Sequence, residues 1–150
     1  MKKLQILFVC TGNTCRSPMA EVILRRKLKL AGVTGVTVKS AGLMASIGDK
    51  MSENSRKALK ILGYRAGAFS AKQADGATLI KSDLVICMGA SHKSRISNFP
   101  NVYTVSEITG GSDVSDPYGG DLGVYVKVSH QIEDACNIIL EKILTLKGEE

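Results

Sequence analysis

The stretch Leu4-Gln5-Ile6-Leu7-Phe8-Val9-Cys10-Thr11-Gly12-Asn13-Thr14-Cys15-Arg16-Ser17-Pro18 decides the reading of the whole chain. Its first six residues form a short, mostly apolar run rich in strand formers, and they end in a loop, Cys10–Arg16. Ser17-Pro18 then reads as a helix start, with Ser17 as N-cap and Pro18 at the first helical position. Ala20, Ile23, Leu24, Leu28 and Ala31 follow at helical spacing, and Gly32 is placed to stop the helix. The unit is therefore strand, loop, helix.

The same alternation continues outward. Val36–Ser40 reads as a strand and Ser52–Leu62 as a helix with Ala58, Leu59 and Leu62 inward and Gly63 as terminator. Residues 71–81 read as a further helix weakened by Gly76. Leu84–Met88 is continuously apolar, the pattern of a central parallel strand buried on both faces. Ser91–Asn98 reads as a short helix, Asn101–Val105 as a fourth strand, and Gly110–Gly123, with five glycines, as loop. From Val124 to about Leu146 a long helix carries Val128, Ile132, Ala135, Cys136, Ile139 and Ile143 on one stripe. Alternating strands and helices predict a parallel sheet covered on both faces, with ligands beyond the carboxyl ends of the strands. The Cys10–Arg16 loop sits at such an end.

That loop can cradle a phosphate. Between a strand and a helix N-terminus, several backbone N–H groups converge, and the helix dipole favours an anion. Gly12 is expected to allow close backbone approach, and Asn13 tolerates the left-handed conformation that a tight cradle needs. Arg16 offers a planar fork to two phosphate oxygens. Cys10, at the floor, would be held as a thiolate by the same positive surroundings, ready to attack phosphorus. Burial is the ordinary fate of a cysteine that follows a strand, but burial alone does not explain Gly12, Asn13, Arg16 and Ser17-Pro18 at fitting positions. A reaction through phosphocysteine also needs a proton donor for the leaving group and a base for water. Asp116, stiffened by Pro117, is the first candidate; Asp113 and Asp121 are rivals without a stiffener.

The rest of the composition is consistent with this. The chain has 150 residues, enough for one domain, 1–150, and its net charge of +6 suits an anionic substrate. Aromatics are 5% and there is no Trp, which disfavours a nucleic-acid stacking surface. The apolar run after Met1-Lys2-Lys3 is too short for an export signal, and no segment is long enough to cross a membrane. With no export signal and with Cys87 and Cys136 in core-like segments, a cytoplasmic protein with reduced thiols is expected. His92 and His130 are read as surface residues without metal-ligand spacing to a cysteine, and Met44 as loop filler.

Val9-Cys10-Thr11-Gly12-Asn13-Thr14-Cys15-Arg16-Ser17-Pro18-Met19-Ala20-Glu21, then Ser40-Ala41-Gly42, then Asp116-Pro117-Tyr118-Gly119 together resemble the low-molecular-weight protein tyrosine phosphatases. The resemblance implies a single three-layer α/β domain with a four-stranded parallel sheet and its phosphate-binding loop after the first strand. It implies a cytoplasmic, monomeric protein phosphatase without metal or other cofactor. Its substrate would be a phosphorylated protein, with neither nucleic acid nor membrane as partner. Cys10 would attack phosphorus, Arg16 would hold the phosphate, and Asp116 would protonate the leaving group and then activate water. Thr11, Gly12, Asn13, Thr14, Cys15 and Arg16 would bind phosphate. Asn13, Ser17 and Ser40 would support the loop, and Tyr118 would wall the substrate slot. Cys15 would trap oxidised Cys10 as a reversible disulfide.

Members specific for phosphotyrosine usually carry Ile or Leu where this chain has Thr14, and often a second aromatic where it has Gly119. Bacterial protein-arginine phosphatases of the same family carry Thr there. A hydroxyl suits a buried guanidinium, whose N–H groups need partners. Thr14 thus tilts the expectation to phosphoarginine, with Asp116 doubling as guanidinium partner; a phosphotyrosine enzyme with a tolerated Thr14 is the alternative. An arsenate reductase would need two further cysteines close together on a mobile segment, whereas Cys87 and Cys136 are 49 positions apart. A phosphoryl carrier has no use for Arg16 and Asp116 together, and a silent phosphopeptide-binding module has none for an intact Cys10 and Asp116.

Overall fold

In the computed structural model, which describes residues 3–148, ten elements follow one another. They are β1 (Leu4–Cys10), α1 (Arg16–Leu30), β2 (Val36–Gly42), α2 (Glu53–Ile61), α3 (Gly76–Lys81), β3 (Leu84–Cys87), α4 (Ala90–Arg95), β4 (Val102–Thr104), α5 (Val105–Thr109) and α6 (Leu122–Gly148). Met1 and Lys2 of the basic start lie outside the described residues. The strands form one parallel sheet in the order β2-β1-β3-β4. The chain steps from β1 outward to β2 and then back across to β3, so the carboxyl end of β1 lies where the order reverses, the place at which such sheets open a ligand crevice.

The period of two along β1 divides the core. Ile6, Phe8 and Cys10 join the layer beneath α1 and α6, whose Met19, Ile23, Leu24, Val128, Ile132, Cys136, Ile139 and Ile143 are buried there. Leu7 and Val9 point to the opposite layer, with Leu79, Val85, Cys87, Ile96 and Val102. Both faces of β1 are covered, as the apolar runs of β1 and β3 predict.

Several element boundaries differ from the sequence expectation. Helix α1 begins at Arg16 with Cys15 as N-cap, so Ser17 and Pro18 lie inside its first turn. The Ser17 hydroxyl is drawn instead to Cys10 and Asn13, and Pro18 remains acceptable because the first turn needs no donor there. Strand β2 runs on to Gly42, two residues past the expected end. Residues 71–75 are not helical. Gln73 bridges to Gly42, and α3 starts only at Gly76, capped by the Asp75 carboxylate on the Thr78 N–H. Helix α4 spans Ala90–Arg95 and α6 starts at Leu122. The fourth strand stops at Thr104, because Thr104 and Glu107 close a capping box that turns Val105–Thr109 into α5. Gly32, at φ 69°, ends the turn after α1 as expected. Ala31 and Leu62 sit at the C-caps, Ala31 exposed and Leu62 half-buried, rather than on the inward stripes.

Candidate active site

Cys10 is the last residue of β1, and its side chain forms the floor of a cavity of about 330 Å³. Thr11, Gly12, Thr14, Cys15 and Arg16 line the same cavity from the loop, and Asp116 and Tyr118 line it from the glycine-rich segment before α6. The N-terminus of α1 opens on this space. No side chain caps it, and its first turn carries no acid, so its positive end is available to an anion.

The loop is shaped by a short relay of polar groups. Asn13 adopts the left-handed conformation at φ 56°, as its residue type allows. Its side chain is fully buried beneath the loop: Oδ1 accepts the Lys72 N–H at 2.9 Å, which fixes the amide so that Nδ2 donates to Ser17 Oγ and Ser40 Oγ, each at 2.9 Å. Ser40 spends its own proton on Glu21 Oε1 at 2.8 Å, and Glu21 Oε2 is paired with Arg25 at 2.9 Å. Ser17 Oγ accepts from Asn13 and is hydrogen-bonded to Cys10 Sγ, 2.8 Å away.

Arg16 is anchored for its task. Nη1 donates to the Val114 carbonyl at 3.1 Å, and Nη2 lies 3.7 Å from Asp116 Oδ2. Val114 is itself tied to the end of β3 through Met88 O, so the clamp is braced by the sheet. Asp116 remains 60% exposed, and its Oδ1 accepts the Tyr118 N–H at 3.1 Å, a turn that aims the carboxylate over the cavity mouth. Tyr118 stands 87% exposed beside it. The rival carboxylates are occupied elsewhere: Asp113 Oδ1 accepts the Ser106 N–H, Asp121 Oδ1 accepts the Val124 N–H, and neither lines the cavity.

One correction to the sequence reading concerns the site. His92 is buried, 4% exposed, with Nε2 at 3.1 Å from Thr11 Oγ1 and 3.5 Å from Arg16 Nη2. A lone histidine on a six-residue helix has no periodicity to betray this. Asn13, expected among the phosphate binders, has its side chain buried beneath the loop, where it supports the loop from below. At Gly12 a Cβ would meet only Thr14 Oγ1 among protein atoms, at 3.8 Å. The tight point is Gly42, where a Cβ would fall 2.5 Å from Thr11 O and 2.9 Å from Asn13 N, because β2 runs directly under the loop. Gly42→Ala is expected to displace the loop, at a cost of about 2–3 kcal/mol. Thermal melts and turnover of an aryl phosphate check this; a wild-type melting temperature and rate would show that the loop yields freely.

The other cysteines divide by environment. Cys15 is half-buried, its Sγ donating to Ser52 Oγ at 3.5 Å and lying 3.7 Å from the Tyr125 hydroxyl. Burial, then the contact with Cys15, pushes the Tyr125 phenol up to about 12, so it stays protonated. Cys87 and Cys136 sit in opposite layers of the core, and burial pushes both thiols up to about 12. Such thiols are poor partners for a disulfide relay, which removes the basis of the arsenate-reductase reading. Among the described residues, no helix is long and apolar enough to cross a membrane.

Residues 5–148 match the family described as low molecular weight phosphotyrosine protein phosphatase. The chain is 36% identical to a protein-arginine-phosphatase of Geobacillus stearothermophilus, covering 94% of this chain and 97% of that one. It is 32% identical to the low molecular weight protein-tyrosine-phosphatase PtpB of Staphylococcus epidermidis, covering 91% and 96%. Among solved structures, the YwlE arginine phosphatase from Geobacillus stearothermophilus superposes with a TM-score of 0.89 at 34% identity, covering 98% of this chain and 97% of that one.

Proposed function

This chain belongs to the low molecular weight phosphotyrosine protein phosphatase family, and on that footing we propose that it hydrolyses phosphoarginine side chains of proteins. The observation that carries the choice of substrate is that Thr14 and Asp116 face one cavity above Cys10. A guanidinium entering it needs acceptors for its N–H groups, and a hydroxyl and a carboxylate supply them. An Ile or Leu at position 14 would leave those donors unpaired and would instead suit a phenyl ring. The similarity to a protein-arginine-phosphatase supports the same choice.

The reaction runs in two displacements. Cys10 thiolate attacks phosphorus while Arg16 and the amides at the start of α1 hold the equatorial oxygens. The P–N bond breaks, its electron pair goes to the guanidine nitrogen, and Asp116 delivers a proton there. Water then attacks phosphocysteine, Asp116 takes its proton, and the P–S bond breaks to return Cys10 as thiolate with free phosphate. Arg16 and the helix terminus supply the positive charge, so neither displacement calls for a metal. Cys15, three hydrogen-bond partners notwithstanding, stands as the proposed trap for oxidised Cys10.

The exposed Tyr118 at the cavity mouth favours the second reading, an aromatic wall for a phosphotyrosine ring. The deciding measurement is kcat/KM on matched phosphoarginine and phosphotyrosine peptides, with Thr14→Ile beside wild type. The expected result is a preference of about 100-fold or more for phosphoarginine, which Thr14→Ile reverses. A wild type that prefers phosphotyrosine would leave Thr14 a neutral variant in a tyrosine phosphatase.

A further inference from the structure

His92 belongs to no part of the reaction just described, yet it is buried against two residues that line the cavity. Its Nδ1 lies 3.1 Å from the Gly89 N–H and must accept from it. The ring proton of the neutral imidazole is thereby placed on Nε2. Of the two groups facing Nε2, Arg16 Nη2 is only a donor, so the proton goes to Thr11 Oγ1 at 3.1 Å. Protonation of the ring would cost the Gly89 bond and set a second cation 3.5 Å from Arg16. Burial first, then Arg16 and more weakly Arg95, hold the imidazole below its ordinary range against the opposing pull of Asp116 and Asp113.

The consequence falls on Thr11. Once its oxygen accepts from His92, its own proton must leave in another direction. Thr11 is exposed and lines the cavity, and its carbonyl is pinned by the Met44 N–H at 2.9 Å. We propose that His92 is a positioning residue that turns the Thr11 hydroxyl into a donor toward the bound phosphoryl group. Thr11 is held through its backbone by the segment after β2 and through its side chain by α4 after β3. The inference rests on the phosphatase reading only for its effect on rate, since its effect on phosphate binding is independent of turnover.

The test uses His92→Phe, which keeps the volume without the donor, His92→Gln, whose amide N–H reaches the same place, Thr11→Val, and the double variant His92→Phe/Thr11→Val. Affinity for inorganic phosphate is read by calorimetry and kcat/KM with p-nitrophenyl phosphate. His92→Phe is expected to weaken phosphate about tenfold, the scale of one hydrogen bond to a charged group, and to lower kcat/KM by a similar factor. His92→Gln is expected to recover most of both, and His92→Phe is expected to add nothing in the Thr11→Val background. Losses that multiply in the double variant, or a His92→Phe protein with wild-type phosphate affinity, would overturn the proposal. Should the Phe variant not fold, His92→Asn, which is too short to reach Thr11, carries the same cycle. A wild type that binds phosphate but does not turn over would refute the phosphatase reading while the binding cycle still decides the role of His92. A wild type that binds no phosphate would refute both.

Discussion

Cys10→Ser is expected to lower kcat by at least about three orders of magnitude while inorganic phosphate still binds. The substitution changes the nucleophile and little else. A serine oxygen keeps the place of the sulfur beside Ser17 Oγ and leaves the Asn13, Ser40 and Glu21 relay intact. It also leaves Arg16 on Val114 O and the uncapped end of α1 open. What it removes is the sulfur nucleophile, which a serine hydroxyl cannot replace. Binding and chemistry should therefore separate. Phosphate affinity should stay at the wild-type level or tighten, because a neutral hydroxyl no longer opposes the incoming dianion. Single-turnover assays on a phosphopeptide, with calorimetry on phosphate, give both quantities. Appreciable turnover in Cys10→Ser would mean that phosphorus is attacked by something other than Cys10, with water activated by Asp116 the first suspect. Lost phosphate affinity would mean that the sulfur shapes the cradle as well as attacking from it.

The strand-loop-helix unit was legible because chemistry and periodicity coincide there. An apolar run ends, a cysteine follows, and an arginine stands at the position where a helix dipole begins. Asp116 was legible through Pro117, and the structure leaves it facing the cavity while Asp113 and Asp121 are used in capping. What stayed hidden depends on contacts between distant segments. Lys72 meets Asn13 through its backbone N–H, which no side-chain identity encodes. Gly42 matters because β2 lies beneath the loop, a register fixed by pairing along the whole of β1. His92 reaches Thr11 across 81 positions from a helix too short to show a face. The missed helix α5 had a local signal, Thr104 with Glu107 three residues on, that the preceding apolar strand obscured. The sequence of 71–75 predicts a helix, and the tertiary bridge from Gln73 to Gly42 keeps this segment out of it.

Asp116→Asn separates proton transfer from placement, and its expected signature is a dependence on the leaving group. Asn keeps the shape of the side chain and can still accept the Tyr118 N–H, so the turn that aims it should persist. It can neither donate a proton to the departing atom nor take one from water. A guanidine expelled without that proton is a strong base, its conjugate acid far weaker than a tyrosine phenol, which titrates at about 10. An activated aryl phosphate such as p-nitrophenyl phosphate releases a far weaker base and has least need of help. The loss in kcat/KM should therefore be about 10²–10⁴-fold on phosphoarginine, the range of general acid catalysis, smaller on phosphotyrosine and smallest on the activated ester. Because kcat/KM reports the first displacement, the later role of Asp116 as base does not blur the comparison; that role should appear as accumulated phosphocysteine in rapid-quench experiments on the activated ester. Equal losses on all three substrates would reduce Asp116 to a charge that steadies Arg16 across 3.7 Å, and the proton would then have to come from a group outside the loop-and-turn arrangement described above.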